Sequence, residues 1–455
     1  MSVLETRGDK ALLSGWGRTA PTVAEVVEAG SDADVAAVVA RRPARGVVAR
    51  GLGRSYGDAA QNAGGAVVSL PSMDRILAVD VAAATTTVEA GVSLDTLMRT
   101  LLPLGLFVPV TPGTRVVTVG GAIAADVHGK DHHITGSFCN HVAWIDLLVA
   151  DGSVRRVSAE EDAELFWATA GGMGLTGIVL RASIRMRRVE TAYVVVDTER
   201  ARDLDDLMDR LSSTDHLYEY SVSWVDCLSR GARLGRAVLT RGRPATRQEL
   251  PRRAAREPLA FRPRTRLTAP DIFPAGLVNR ASVAAFDELW YRKAPAERRD
   301  EVQAMAPFFH PLDGISRWHR VYGPRGFIQY QFVVPFGAEA TVRHVLEIFA
   351  AGGPPGSLAV LKRFGPANPG PLSFPTPGWT LAVDVPVQRR TAEVLDRLDR
   401  LVLDAGGRLY LAKDSRLPAA ALPAMYPRLD EWLRVRRQVD PDSVFTSDLS
   451  RRLGL

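Results

Sequence analysis

Cysteine is nearly absent from this chain of 455 residues: Cys139 and Cys227 are all there is. Two cysteines cannot make a disulfide framework, and these two lack metal-ligand spacing, so two buried or solvated thiols are expected. No apolar run approaches the roughly 20 residues that span a bilayer. Met1 to Lys10 also lacks the hydrophobic stretch of a secretory signal, so a soluble chain without a standard export signal is expected. Aromatic residues make up only 7% of the chain, and none interleaves basic clusters such as Arg185-Met186-Arg187-Arg188 or Arg252-Arg253. Despite a net charge of +6 and a pI near 9.5, nucleic acid is therefore not an expected partner. The positive excess suits an anionic membrane face, or reflects only an alanine- and arginine-rich composition. Both readings stand.

What the chain has is glycine, concentrated in two segments of its N-terminal third. The first is Ala49-Arg50-Gly51-Leu52-Gly53-Arg54-Ser55-Tyr56-Gly57-Asp58. The second runs Pro112-Gly113-Thr114, then Thr118-Val119-Gly120-Gly121-Ala122-Ile123, and ends in Asp126-Val127-His128-Gly129-Lys130-Asp131-His132-His133. Without Cβ atoms the backbone N–H groups can approach and encircle an anion, so the pair suggests a cradle for a phosphorylated cofactor. A dinucleotide fingerprint fits poorly, because the third glycine comes one position late and more loop follows it. Gly53-Arg54-Ser55-Tyr56-Gly57 matches a serine-hydrolase elbow, but that elbow must turn directly into a helix, which Asn62-Ala63-Gly64-Gly65 opposes. His128, His132 and His133 with Asp126 and Asp131 could ligate a metal; beside a glycine loop, His128 is better read as a hydrogen-bond donor near a cofactor, and no metal is expected.

The flanking sequence favours the cradle. Val26 to Glu28 and Val47-Val48-Ala49 read as strands around a helix opened by Ser31-Asp32-Ala33-Asp34, a small β-α-β unit. Ala66 to Leu70, Ile76 to Val79 and Thr86 to Glu89 read as strands, and Ser93 opens a helix to Leu102. With Gly136-Ser137-Phe138, Asn140-His141-Val142, Glu164 to Thr169 and Gly171-Gly172-Met173-Gly174-Leu175-Thr176-Gly177-Ile178, the chain resembles flavoproteins of the vanillyl-alcohol oxidase type. That resemblance implies an α+β, two-domain FAD-binding fold, with a substrate domain built on an antiparallel sheet.

A closer resemblance rests on Trp16-Gly17-Arg18-Thr19-Ala20-Pro21, His128 to His133, Gln329-Tyr330-Gln331-Phe332, Pro371-Leu372-Ser373-Phe374-Pro375 and Tyr410-Leu411-Ala412-Lys413-Asp414-Ser415-Arg416. These are similar to the decaprenylphosphoryl-ribose 2'-oxidase family, the FAD subunits of the actinobacterial epimerase that makes the arabinose donor of the cell wall. The resemblance implies oxidation of a ribose C2' hydroxyl to a ketone, with FAD as hydride acceptor. It implies catalytic roles for Lys413 and Tyr56. It assigns FAD to Ala49, Arg50, Gly51, Leu52, Gly53, Arg54, Ser55, Tyr56, Gly57, Asp58, Ala59, Gly113, Thr118, Val119, Gly120, Gly121, Ala125, Asp126, Val127, His128, Ile178 and Tyr410. It places His128, Lys130, Trp224, Gln329, Gln331, Lys362, Thr380, Ala382 and Lys413 around the substrate. In the family's best-known members Pro-Gly-Trp is followed by Asn and, two residues later, a cysteine facing the flavin; here Pro377-Gly378-Trp379 leads to Thr380-Leu381-Ala382.

Further expectations concern partners and layout. No histidine precedes His128, so non-covalent FAD is expected. A lipid-linked sugar phosphate is the implied substrate, met in peripheral contact with the cytoplasmic membrane. A keto product calls for an NAD(P)H-dependent reductase partner, since this chain has no nicotinamide fingerprint. Residues 1–190 and 406–455 are read as the FAD domain and 191–405 as the substrate domain, with Phe261 to Ser282 and Arg292 to Asp300 as loops over the site or ordinary surface loops. An alditol or aldonolactone oxidase of the same fold, and a flavin-free scaffold docking a reductase, remain as alternatives.

Overall fold

The computed structural model describes residues 8–455. Three main sheets organise the described residues, with two short two-stranded ribbons. In the first sheet, Ser31 opens the first helix: its hydroxyl accepts the Asp34 N–H, and α1 (Asp32–Ala40) follows with Val35, Val38 and Val39 buried. Around it stand β1 (Asp9–Leu13), β2 (Thr22–Glu28), β3 (Val47–Arg50) and β4 (Ala66–Ser69), in the order β1-β2-β4-β3. The expected β-α-β unit is present, with a third strand inserted into it. β2 and β3 are not neighbours, because β4 lies between them and parallel to both. Ala66, Val67 and Val68 are an unbroken apolar run with no exposed surface, the pattern of a strand covered on both faces, so the centre of the sheet suits it.

The second sheet is antiparallel. It contains β5 (Ile76–Asp80), β6 (Thr85–Glu89), β7 (Val142–Leu148), β8 (Val154–Val157) and β9 (Ile178–Arg185), in the order β5-β6-β9-β7-β8. Helix α2 (Leu94–Leu101) is capped by the Ser93 hydroxyl, and the short α3 (Val119–Ala124) by the Thr118 hydroxyl; each cap satisfies an N–H that the helix cannot. Helix α4 (Ala163–Thr169) follows Asp162.

The third sheet has eight strands, all antiparallel. They are β10 (Tyr193–Ala201), β11 (Tyr220–Val225), β12 (Ala237–Pro244), β13 (Glu297–Ala304), β14 (Phe327–Val334), β15 (Ser357–Phe364), β16 (Gly378–Pro386) and β17 (Arg408–Leu409), in the order β13-β10-β12-β11-β15-β16-β14-β17. Helices α5 (Leu204–Thr214), α7 (Glu339–Ala351) and α8 (Thr391–Asp404) pack on its strands, and α6 (Arg280–Lys293) lies at the end of the long connection before β13. The loop expected over Arg292 to Asp300 is corrected: Arg292 and Lys293 end α6, and Glu297 begins an edge strand paired with β10. Glu-Arg-Arg-Asp-Glu reads as loop by composition, yet charged side chains are what protect a strand edge from pairing with other chains. Phe261 to Ser282 is mostly irregular; Leu267–Thr268 pairs with Ile315–Ser316, and Arg280 starts α6.

The C-terminal segment rejoins the first two sheets. β17 still belongs to the large sheet, paired with β14. Beyond it, α9 (Leu429–Val439) buries Trp432, whose indole N–H donates to the Ala168 carbonyl at the end of α4. Phe445 bridges β3 at Val47, and Arg452 reaches both Asp58 and Asp414.

Candidate active site

A cavity of about 1070 Å³ lies between the glycine segments and one face of the large sheet. Side chains alternate across a strand, so Gln329 and Gln331 on β14 share that face with Thr380, Ala382 and Asp384 on β16, Val360 and Lys362 on β15, and Trp224 on β11. The register turns these into rows. Gln331, Ala382, Val360 and Trp224 stand opposite one another across four strands, and Gln329 stands opposite Asp384. The opposing wall is backbone: the loop from Gly51 to Tyr56, the segment Pro112 to Thr118, and Ala124 to Lys130. Thr114 and Arg115 tie that second segment to the sheet half by hydrogen bonds to the Asp313 carboxylate, the Thr114 hydroxyl donating at 2.7 Å.

The backbone wall fits a diphosphate. Among the described residues, the N–H groups of Leu52, Gly53, Arg54 and Ser55 donate to no protein acceptor, four in succession on a loop that lines the cavity. A Cβ built on Gly113 or Gly174, both in the lining, would meet no protein atom within 4 Å; the space it would fill is the cavity itself. At Gly57 a Cβ would collide with the Asp414 carbonyl, so this glycine serves close packing of the loop on the C-terminal segment. The dinucleotide-sized void, the free N–H run and the missing Cβ atoms together match FAD.

Most of the sequence-derived residues meet at this cavity. Ala49, Gly51 to Tyr56, Ala59, Gly113, Thr118, Gly120, Gly121, Ala125, Val127, His128, Lys130, Trp224, Gln329, Gln331, Lys362, Ala382, Tyr410 and Lys413 line it. Seven do not, and each has another task. Arg50 donates to the Ala60 and Ser14 carbonyls, bracing the loop from behind. Gly57 packs against Asp414, and Asp58 pairs with Arg452. Val119 and Ile178 are fully buried in the core. Asp126 accepts from the hydroxyls of Ser137 and Ser373, the Asn368 amide and the Cys139 N–H. Thr380 donates to the Phe332 carbonyl and accepts from Gln331 at 3.3 Å, so it positions Gln331. The histidine cluster is dispersed: the His132 ring accepts the Gly365 N–H and His133 bonds the Tyr218 carbonyl. Among the described residues no group of three or more His, Cys, Asp or Glu side chains is arranged to hold a metal ion.

Electrostatically the site is a half-buried cluster of lysines. Lys413 follows Tyr410, whose hydroxyl donates to the Ala125 carbonyl at 2.7 Å, and its Nζ sits 3.8 Å from the centre of the Tyr56 ring. Burial pulls Lys413 down to about 7, opposed by the Asp384 carboxylate and reinforced by Lys362. Lys130, donating to the Phe308 carbonyl, falls to about 7 through burial and then Lys362. Lys362, donating to the Gly129 carbonyl at 3.0 Å, falls to about 8 through burial against the pull of Asp131. Burial keeps the Tyr56 hydroxyl protonated, far above its ordinary value. His128 is held neutral by burial and by Lys362. Gln331 donates its amide N–H to His128 Nε2 at 3.0 Å, which assigns the ring proton to Nδ1, and Nδ1 is buried without a partner. The Trp224 indole N–H is also buried and unpartnered. Two lone donors thus remain for a ligand's acceptors.

Asp384 escapes a motif-based reading. It is 1% exposed, takes the Gln329 amide at 2.6 Å and is pushed up to about 7 by burial. Its signal is positional: a single acid in the apolar run Trp379 to Val385, two residues from Ala382 and so on the same face. Phe286 and Trp290 on α6 are also missed; they meet Trp224 at ring distances of 6.4 Å and line the far end of the cavity.

A cavity with a diphosphate cradle on one wall and a polar sheet face on the other defines a two-part FAD-dependent oxidoreductase. The FAD binding domain family matches residues 23–158, and the D-arabinono-1,4-lactone oxidase family matches residues 382–453. The chain belongs to the decaprenylphosphoryl-beta-D-ribose oxidase family: it is 50% identical, over 100% of both chains, to the protein of that name from Mycolicibacterium smegmatis. Alditol oxidase from Streptomyces is more distant, at 25% identity over 97% of this chain and 98% of its own length. A solved structure, the BBE-like 1 protein of Physcomitrella patens, superposes with a TM-score of 0.66 at 17% identity, covering 93% of this chain and 90% of its own, and shows the same fold.

Proposed function

We propose that this chain oxidises the ribose C2' hydroxyl of decaprenylphosphoryl-β-D-ribose to the 2'-keto compound, the first half of epimerisation to the arabinose donor for cell-wall arabinan. The carrying observation is that one cavity joins the free N–H loop to three half-buried lysines and an aromatic end built from Trp224, Phe286 and Trp290. FAD, when bound, supplies the hydride acceptor. Lys413, in its protonated form, contributes positive charge beside Tyr56, where water exclusion makes charge effective. Lys130 and Lys362, close enough that Lys362 lowers the proton affinity of Lys130, suit a phosphate; Gln329, Gln331 and His128 suit sugar hydroxyls; the aromatic end suits the start of a prenyl chain. Positioning of this kind aligns the C2' hydrogen for transfer.

Non-covalent attachment is part of the reading, since the loop Gly51 to Ala59 offers neither His nor Cys. Acid precipitation should release all flavin colour to the supernatant; fluorescence staying with the denatured protein band contradicts it. In the same reading residues 1–190 and 406–455 serve the cofactor, residues 191–405 serve the substrate, an NAD(P)H-dependent reductase completes epimerisation, and the protein works peripherally at a membrane. Among the described residues no helix is long and apolar enough to cross one.

Likeness to alditol and lactone oxidases supports a second reading, a small-polyol oxidase. Against it, a neutral polyol needs neither two phosphate-ready lysines nor an aromatic end. Anaerobic mixing decides: bleaching of the yellow holoenzyme by the lipid-linked ribose, but not by xylitol or an aldonolactone, supports the first reading. The reverse supports the second, and purified protein without flavin supports a scaffold.

A further inference from the structure

Several of the exposed large apolar side chains among the described residues belong to the elements at the mouth of the cavity. Ile272 is 79% exposed, Leu289 68%, Ile315 44%, Phe286 44%, Trp290 42% and Leu312 38%. Four of these six, Phe286, Trp290, Leu312 and Ile315, also line the cavity; residues that are lining and exposed together form its rim. They come from two elements, α6 and the segment Pro311–Ser316, which pairs with Leu267–Thr268. Isolated exposed apolar side chains are ordinary, but a cluster around an opening marks an interaction site.

The charge distribution says what kind. Residues 251–330 hold 14 Lys and Arg against 8 Asp and Glu, so the chain's whole excess of six positive charges falls in this stretch. Arg264, Arg266, Lys293 and Arg317 are exposed there and form no ion pair among the described residues. Apolar and aromatic side chains ringed by free cations suit the interface of an anionic bilayer, where aromatics sit at headgroup level and basic residues meet lipid phosphates.

The geometry points to this rim, α6 with the segments around Ile272 and Ile315, as the membrane-docking surface of the protein, seating the cavity mouth on an anionic leaflet. The inference rests on the lipid-linked substrate reading and extends it: a polyprenyl chain then passes from bilayer to cavity between Phe286, Trp290, Leu312 and Ile315 without crossing water. α6 is anchored for the task. Asp287 is buried against Asp226, Arg236 bonds Glu288 and lies over the Tyr291 ring, and Arg280 donates to the carbonyls of Phe349 and Ala350.

Ile272 follows the strand paired with Ile315–Ser316 and Leu289 is on α6, both exposed and both outside the cavity lining, so they can be changed without touching the site. Holoenzyme is sedimented with vesicles of phosphatidylcholine alone and of phosphatidylcholine with phosphatidylglycerol in equal parts. Wild type should bind the anionic vesicles and release in high salt. Ile272→Glu with Leu289→Glu should weaken that binding about tenfold or more, while Leu217→Glu, equally exposed elsewhere, should not. Flavin content, and flavin reduction by a water-soluble short-chain prenylphosphoryl ribose, should be unchanged in the double variant. Equal binding by wild type and double variant, or no binding by wild type, overturns the docking surface. A change of hydrodynamic size in the double variant also overturns it, by showing that the face joins two copies. Failure of wild type to reduce its flavin with any lipid-linked ribose instead removes the substrate reading, which the vesicle experiment does not measure.

Discussion

The two walls of the cavity are built in opposite ways. The cofactor wall is backbone, presented by loops whose glycines leave N–H groups bare and let segments touch. The substrate wall is side chains, presented by strands whose register brings Trp224, Val360, Ala382 and Gln331 into one row from positions scattered over more than a hundred residues. A wall of backbone tolerates few sequence changes but recognises any ligand with the right phosphates. A wall of side chains can be rewritten one residue at a time while the sheet persists. Cofactor identity should therefore be hard to alter in this protein, and substrate choice easy.

Lys413 is where the walls meet, and its removal should have the largest effect. Lys413→Ala should slow substrate-driven flavin reduction by roughly 10²–10³-fold, the usual consequence of losing an electrostatic group in a water-poor site, with folding and flavin content retained. Reduction at near wild-type rate in single-turnover stopped flow would remove Lys413 from the mechanism. Next comes the test of the backbone wall. Gly57→Ala places a methyl group on the Asp414 carbonyl, and such overpacking costs about 1–3 kcal/mol. Lower thermal stability and a lower flavin-to-protein ratio should appear together; an unchanged ratio would separate the loop from the cofactor.

The substrate half should show its own pH signature through α6. Asp287 is 2% exposed, and burial with the nearby Asp226 carboxylate raises it from 3.8 to about 8. The folded state thus holds a proton that the unfolded state releases, and this contribution to stability, complete below about pH 4, declines as pH rises to about 8. Asp287→Asn cannot titrate. The difference in thermal midpoint, wild type minus variant, should fall between pH 4 and 8 and then level off; a flat difference would show that Asp287 is ionised throughout.

The smallest effect is expected at Ala382. The reaction needs no thiol, so Ala382→Cys should leave stability and turnover nearly unchanged while adding a nucleophile to the sheet wall. Electrophiles generated in the cavity should label the variant and not the parent chain. Cys139 and Cys227 are buried, and burial raises both thiols well above their ordinary range, so an adduct at either, found by intact-mass spectrometry, would contradict this placement.

The same contrast explains what the amino-acid sequence reveals. Ser31, Ser93 and Thr118 cap helices three residues away, and the glycine loops are contiguous, so the cofactor half is legible from local pattern. Gln329, Gln331, Lys362 and Trp224 reach the cavity as the family resemblance implies. Asp384, Phe286 and Trp290 do not announce themselves, because their meaning lies in strand register and in a helix anchored by distant residues. Glu297 to Asp300 is misread for the related reason that a charged edge strand and a loop share a composition. Arg50, Gly57, Asp58, Val119, Asp126, Ile178 and Thr380 stand behind the surface that a motif marks as one continuous stretch.

Arg452 grips Asp58 from 394 residues further along the chain, and Phe445 lies against Val47. On a ribosome adding about 5–20 residues per second, the first glycine loop waits roughly 20–80 seconds for the segment that clasps it. The nascent chain thus displays its N-terminal strands, with their β3 edge unpaired, long before the cradle can close. Closure of the cradle is consequently a late event in biogenesis, and chains stalled before Phe445 should be open at that edge, sensitive to proteases and in need of chaperones.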